Sequence, residues 1–201
     1  MTDETIDEIM GATYRALCKH GYASLRMQDI ADESTKSKAT LHYYYDSKHD
    51  LLCAFLEYLY DSFAERIAEP TGEDPVEELT ALLDCLLTPR DENTHQQFQT
   101  AILEIKAQGP YDETFREKLT RFDRLMHDRI EGVLREGVES GHFAADVDPD
   151  GTAEFLVTIL NGARSRYVAV EYPLDGTRTM LRRYVESSLL ADGSGREVVA
   201  E

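Results

Sequence analysis

Apolar positions recur every three or four residues along most of the chain, the spacing of helices that bury one face. Ile6, Ile9, Met10, Thr13 and Leu17 share such a face, with Thr13 contributing its methyl group. This helix is expected to end near His20-Gly21, where glycine accepts the left-handed cap conformation. Ser24 is placed to cap a short second helix containing Met27, Ile30 and Ala31. A polar turn, Ser34-Thr35-Lys36, leads to Ser37, which caps a third helix through about Tyr44. Ser47-Lys48-His49-Asp50 has capping-box spacing and opens a long fourth helix with Leu51, Leu52, Phe55, Leu59 and Phe63 inward.

The run Glu69-Pro70-Thr71-Gly72-Glu73-Asp74-Pro75 ends that helix in a loop. Helices over about 76–87 and 94–108 follow, and Gly109-Pro110 breaks the pattern again. Phe115, Leu119, Phe122, Met126, Ile130, Val133 and Leu134 trace one face of a seventh helix ending near Gly141. Asp148-Pro149 reads as an N-cap with proline at the first helical position, opening an eighth helix that reaches Tyr172-Pro173. A ninth covers about 177–190. Strand-type alternation and internal repeats are absent. The expected fold is all-α: a three-helix helix-turn-helix domain at 1–46, a C-terminal helical bundle at 47–191 and a flexible tail at 192–201, about nine helices in all.

Composition narrows the classes. With 201 residues, 42% hydrophobic and only 12 Gly and 6 Pro, the chain can bury a sizeable core. No apolar run approaches the ~20 residues of a membrane helix, and the acidic, polar start lacks a signal-peptide pattern. Cys18, Cys53 and Cys85 are odd in number and lack metal spacing; buried thiols in a reducing compartment, hence a cytoplasmic protein, are expected. No metal or cofactor is expected, since the six histidines are scattered. Asp123 and His127 share a helix face and read as a surface ion pair. Without a phosphate-binding glycine loop, HExxH or nucleophile elbow, the chain does not read as an enzyme.

Charge changes the picture more. The net charge is −18, where a nucleic-acid binder usually carries a basic footprint. Of six lysines, however, Lys36, Lys38 and Lys48 fall in one short window. Acidic residues are spread along the whole chain, and such a lysine-poor acidic surface suits very high salt, where screening collapses self-repulsion.

That window lies within SLRMQDIADESTKSKATLHYYYDSKHDLL, residues 24–52. Two short helices joined by a tight turn brace one helix across the phosphate backbone and present the next to major-groove base edges. Gln28, Ser37, Lys38, Thr40, His42, Tyr43 and Tyr44 offer polar groups of suitable reach. Ala39 lets the backbone approach a thymine methyl, and Lys48 can meet a phosphate at a helix N-terminus.

Asp29-Ile30-Ala31, Ser37, Thr40-Leu41, Tyr43-Tyr44-Tyr45, Ser47-Lys48 and Leu51-Leu52, in this register, resemble the TetR family of one-component transcriptional regulators. The resemblance implies backbone contacts by Thr40, Tyr44 and Lys48. Lys36, Ser37, Lys38, Ala39, His42 and Tyr43 would lie at or near DNA, with Ile30, Ala31, Leu41, Tyr45 and Leu51 in the core. The sequence departs from the family in the turn, where Ser34-Thr35-Lys36 replaces a glycine-containing Ala-Gly-Val, and at His42, where tyrosine is frequent. Asp32, Glu33 and Asp46 lie near the reading surface and repel phosphate unless screened.

The resemblance further implies a homodimer through helices 8 and 9. Phe155, Ile159, Ala163, Tyr167, Leu181 and Tyr184 are the candidate interface. Two reading heads would then stand about 34–36 Å apart on an inverted-repeat operator. An effector cavity between helices 4 and 7 would draw on Phe55, Leu59, Phe98, Ile102, Phe122, Met126 and Asn161, with Glu104 or Arg164 as a polar choice. The partners expected are double-stranded operator DNA, a second copy and a small lipophilic or cationic effector, with no membrane. The function is ligand-responsive transcriptional regulation, most simply repression. The competing reading is a helical dimeric protein-interaction module without DNA specificity.

Overall fold

The structure, a computed structural model, describes residues 3–88 and 92–191. Nine α-helices are found among them: α1 (Asp3–Ser24), α2 (Met27–Asp32), α3 (Lys38–Tyr44), α4 (Lys48–Ala68), α5 (Pro75–Leu87), α6 (Glu92–Lys106), α7 (Glu113–Glu139), α8 (Pro149–Val170) and α9 (Asp175–Tyr184). One π-turn, Val185–Leu189, closes α9. The tail expected at 192–201 lies outside the described residues. No described helix is long and apolar enough to cross a membrane.

Local chemistry sets most boundaries. Gly21 sits at φ 66 and interrupts α1 where the sequence predicts a stop. The Asp74 carboxylate accepts the Val76 and Glu77 N–H groups ahead of α5, and Asp112 accepts Phe115 N–H ahead of α7. The Ser24 cap does not form. The N-cap of α2 is Arg26, whose own N–H donates to Asp29 Oδ2 at 2.8 Å. Ser24 stands two residues too early, still within α1.

Two compact units divide the chain: Met1–Phe63 with Pro89–Phe122, and Ala64–Thr88 with Asp123–Glu201. In the first, Ile9, Met10, Thr13 and Leu17 of α1 are buried as expected, together with Ala12 and Ala16. They pack with Leu41, Leu51, Leu52, Phe55, Ala101, Ile105 and Phe115. Thr13 satisfies its hydroxyl on Ile9 O at 2.8 Å. In the second, Leu79, Leu82, Leu86, Met126, Ile130, Leu134, Leu156 and Leu160 are buried. Burying apolar area at roughly 25 cal/mol per Å² drives both cores.

The cysteines differ from expectation: all three are free but only half-buried. Desolvation still raises the thiol pKa of Cys18 and Cys53, which disfavours the nucleophilic thiolate. The expected Asp123–His127 pair is also absent. His127 faces Asp128 at 3.3 Å and Asp150 at 3.5 Å, whereas Asp123 accepts Asn161 Nδ2 at 3.1 Å. Helical spacing permitted the pair, but stronger partners came from α8 and the neighbouring residue.

A tight approach in the second unit yields a stability prediction. A Cβ on Gly137 would stand 2.1 Å from Phe143 Cδ2, and that ring is buried. Gly137→Ala gains about 1 kcal/mol of helix propensity. Overpacking costs about 1–3 kcal/mol and outweighs it. The denaturation midpoint is therefore expected to fall; a raised midpoint would show that the ring moves aside freely.

Candidate nucleic-acid interface

Helix α3 is built from its N-cap, Ser37. Ser37 Oγ accepts Thr40 N–H at 3.1 Å and lies 2.9 Å from Thr40 Oγ1. Leu41 is fully buried and anchors the inner face. The opposite face carries Lys38, Ala39, His42 and Tyr43, all exposed, with Tyr43 at 83%. These positions are spaced so that one helix surface presents them together. Thr40 and Tyr44 are half-buried, and Tyr44 meets Tyr43 edge-on at 5.2 Å. Tyr45 packs against the core.

The glycine-free turn before α3 has a physical explanation. Among the described residues, Glu171 is the one non-glycine with positive φ, so the turn needs no left-handed residue. Glu8 of α1 holds it instead, accepting Thr35 N–H at 2.9 Å and lying 3.2 Å from Ser34 Oγ. The Thr35 N–H foremost keeps the Glu8 carboxyl below its ordinary pKa. Contacts 27 residues apart leave no local signal, and the sequence reading did not single out Glu8.

Two acids near α3, Asp29 and Glu33, are internally neutralised. Asp29 is bound by the Arg26 guanidinium through Nε and Nη2, a fork that holds its carboxyl below the usual range. Glu33 pairs with Lys19 at 2.7 Å, while Arg15 donates to its carbonyl. Asp32 accepts Gln28 Nε2 at 2.7 Å, so Gln28 is engaged on its own helix. The Lys36 and Lys38 ammoniums have no ion-pair partner among the described residues.

Lys48 is held rather than free. Its ammonium donates to Tyr22 O at 3.2 Å and lies 4.8 Å from the centre of the Tyr22 ring. The Tyr22 N–H donates in turn to Glu104 of α6 at 2.5 Å, with Ala23 N–H on the same oxygen. The Tyr22 ring meets Phe115 edge-on, and the next α4 residue, His49, bonds Asp112 at 2.8 Å. One residue just after the Gly21 kink, Tyr22, thus ties α1 to α4 and α6. Tyr22 was not singled out from the sequence, because its partners lie up to 82 residues away.

The remaining candidate residues fall into both units. Phe55 is fully buried, edge-on to Phe98 at 6.3 Å; Phe98 stacks on Tyr14 at 4.6 Å. Leu59 and Ile102 pack against the same core, and Phe122 meets Tyr60 and Phe63. Met126 and Asn161 belong to the second unit, Met126 buried and Asn161 bonded to Asp123. Of the dimer candidates, Ala163 and Leu181 are already buried within that unit. Phe155 is 47% exposed and lies 5.4 Å from the Tyr184 ring; Ile159 and Tyr167 are half-buried. His127, Asp128 and Glu131 bring one ligand atom each within 4.8 Å, although Glu131 is already paired with Arg135.

Comparison with known proteins matches both parts of the chain. Residues 9–55 match the model of bacterial regulatory proteins of the tetR family, and residues 75–190 match the C-terminal domain of BetI-type transcriptional repressors. The HTH-type transcriptional repressor AcnR of Corynebacterium glutamicum is 24% identical over 159 residues, 79% of each chain. A TetR transcription regulator from Haloarcula marismortui superposes with a TM-score of 0.84 at 39% identity, covering 93% of this chain and 98% of that one. A putative transcriptional regulator from Saccharomonospora viridis, solved with choline, gives 0.80 at 26% identity, covering 94% and 99%.

Proposed function

The chain belongs to the TetR family of transcriptional regulators, and on that premise we propose that it binds an inverted-repeat operator as a homodimer and represses transcription until a small molecule releases it. The observation that carries this reading is the exposed face of α3, where Lys38, Ala39, His42 and Tyr43 stand clear on a helix anchored by Leu41. Those side chains enter the major groove, with Ser37, Thr40, Tyr44 and Lys36 on the flanking backbone. Lys48 reaches a phosphate by leaving the Tyr22 carbonyl. Gln28, bonded to Asp32, is the weakest of the expected contacts.

The likeness to AcnR supports repression, and the choline held by the S. viridis neighbour supports a small-molecule effector. A cationic ligand needs a carboxylate beside aromatic faces. The acid singled out for that role, Glu104, already holds Tyr22 and Ala23. We therefore favour a lipophilic effector. It releases DNA by biasing how the first turn of α4 is held at Tyr22 and Asp112, a population shift between two dimer states. Phe155 and Tyr184, with Met180 at 60% exposure, support self-association through α8 and α9, where Ile159 and Tyr167 extend the patch. As a DNA-binding regulator it works in the cytoplasm.

Footprinting on the DNA upstream of its own gene, in molar KCl, tests the proposal. Sequence-specific protection is expected, and Thr40→Ala or Tyr44→Ala should each weaken it by about 1.5–3 kcal/mol, the loss of a hydrogen bond to a charged phosphate. No specific shift at any salt would favour the protein-interaction module instead.

A further inference from the structure

The carbonyl end of α5 is surrounded by arginines drawn from three other helices. Arg66 of α4 donates through Nη2 to Cys85 O and, at 3.3 Å, to Thr88 O. Arg164 of α8 converges on Leu86 O with Nε at 3.1 Å and Nη2 at 2.6 Å. Arg178 of α9 reaches Leu87 O at 3.2 Å. The α9 arginines also have carboxylates: Asp84 lies 3.5 Å from Arg178 and 2.7 Å from Arg182, and Asp175 lies 3.1 Å from Arg178. Arg66 and Arg164 have no carboxylate within 4.0 Å among the described residues.

Both guanidiniums converge on one helix end. Capping alone explains it poorly. A helix C-terminus carries only about half a negative charge, against two full positive charges on Arg66 and Arg164. Each guanidinium also uses only part of its donor set. The hydrogen bonds of Arg66 run through Nη2 and those of Arg164 through Nε and Nη2, which leaves the Nη1 groups of both for another acceptor. Two adjacent guanidiniums with spare donors match the planar oxygens of a carboxylate or phosphate. Burial, and next the neighbouring charge of Arg66, pull the Arg164 guanidinium down to about 10, a cost that a bound anion relieves.

We propose that Arg66 and Arg164 form an anion site that holds the carboxylate or phosphate head of the effector. The effector role rests on the regulator reading above; the binding itself does not. Arg66 lies near the end of α4, the same 21-residue helix that begins at Lys48, so occupancy acts on the element carrying that phosphate contact.

Calorimetric titration of the full chain without DNA, in molar KCl at fixed ionic strength, tests it with two probes, potassium hexanoate and inorganic phosphate. Saturable binding of one probe per protomer is expected. Hexanoate alone identifies a carboxylate head, and phosphate alone a phosphoryl one. Arg164→Lys and Arg66→Lys keep the charge but lose the fork, and should each weaken binding roughly tenfold or more. Arg135→Lys, outside the site, should leave it unchanged. If Arg164→Lys does not fold, Arg66→Lys still decides. No saturable binding of either probe, or equal binding by the lysine variants, overturns the site. Operator protection is read separately, so failure of one proposal is distinguishable from failure of the other.

Discussion

Phe55→Ala is expected to cost about 3–5 kcal/mol of stability. Its ring is fully buried, edge-on to Phe98, which in turn stacks on Tyr14 of α1. Truncation removes the transfer free energy of the ring and leaves a cavity between helices that cannot easily collapse. Denaturant unfolding of the effector-free protein should show a lower midpoint with an unchanged slope. The result also decides a functional question. A side chain lining an open cavity loses few contacts when shortened, so a loss below about 1 kcal/mol, with altered effector binding, would return Phe55 to a cavity wall.

Operator affinity should depend on salt far less than that of a basic regulator. Counterion release gives a log–log slope of about −0.9 per neutralised phosphate. Among the described residues the Lys36 and Lys38 ammoniums of each head have no ion-pair partner, while Arg26 and Lys19 are tied to Asp29 and Glu33. A dimer contacting DNA through those four and its two Lys48 ammoniums has an expected slope of about −5 or shallower. Asp46, exposed beside the recognition helix, makes it shallower still by retaining cations. Binding measured across a KCl series checks this. A slope of roughly −6 or steeper would mean that the paired Arg26 and Lys19 are released to phosphates as well.

The site's outline was legible in the sequence, its electrostatics much less so. Counting formal charges between Arg26 and Asp50 gives a slightly acidic window that should resist DNA. The structure pairs Asp29 and Glu33 with Arg26 and Lys19, so that count misrepresents the surface DNA meets. Lys48 shows the opposite error: a free cation on paper, it is bonded to Tyr22.

The sequence by itself determined the helices, the reading motif and the family. Periodicity, the Ser37 and Asp74 caps, the Gly21 break and Pro149 at a helix start act within a few residues, so local spacing is enough to specify them. The tertiary structure alone decided which polar groups meet. Glu8 with the glycine-free turn, Glu104 with Tyr22, and Arg66 and Arg164 with the end of α5 join residues 19 to 82 positions apart. A hydrogen bond's existence depends on position to within a fraction of an ångström, and helical spacing constrains only which face a residue occupies.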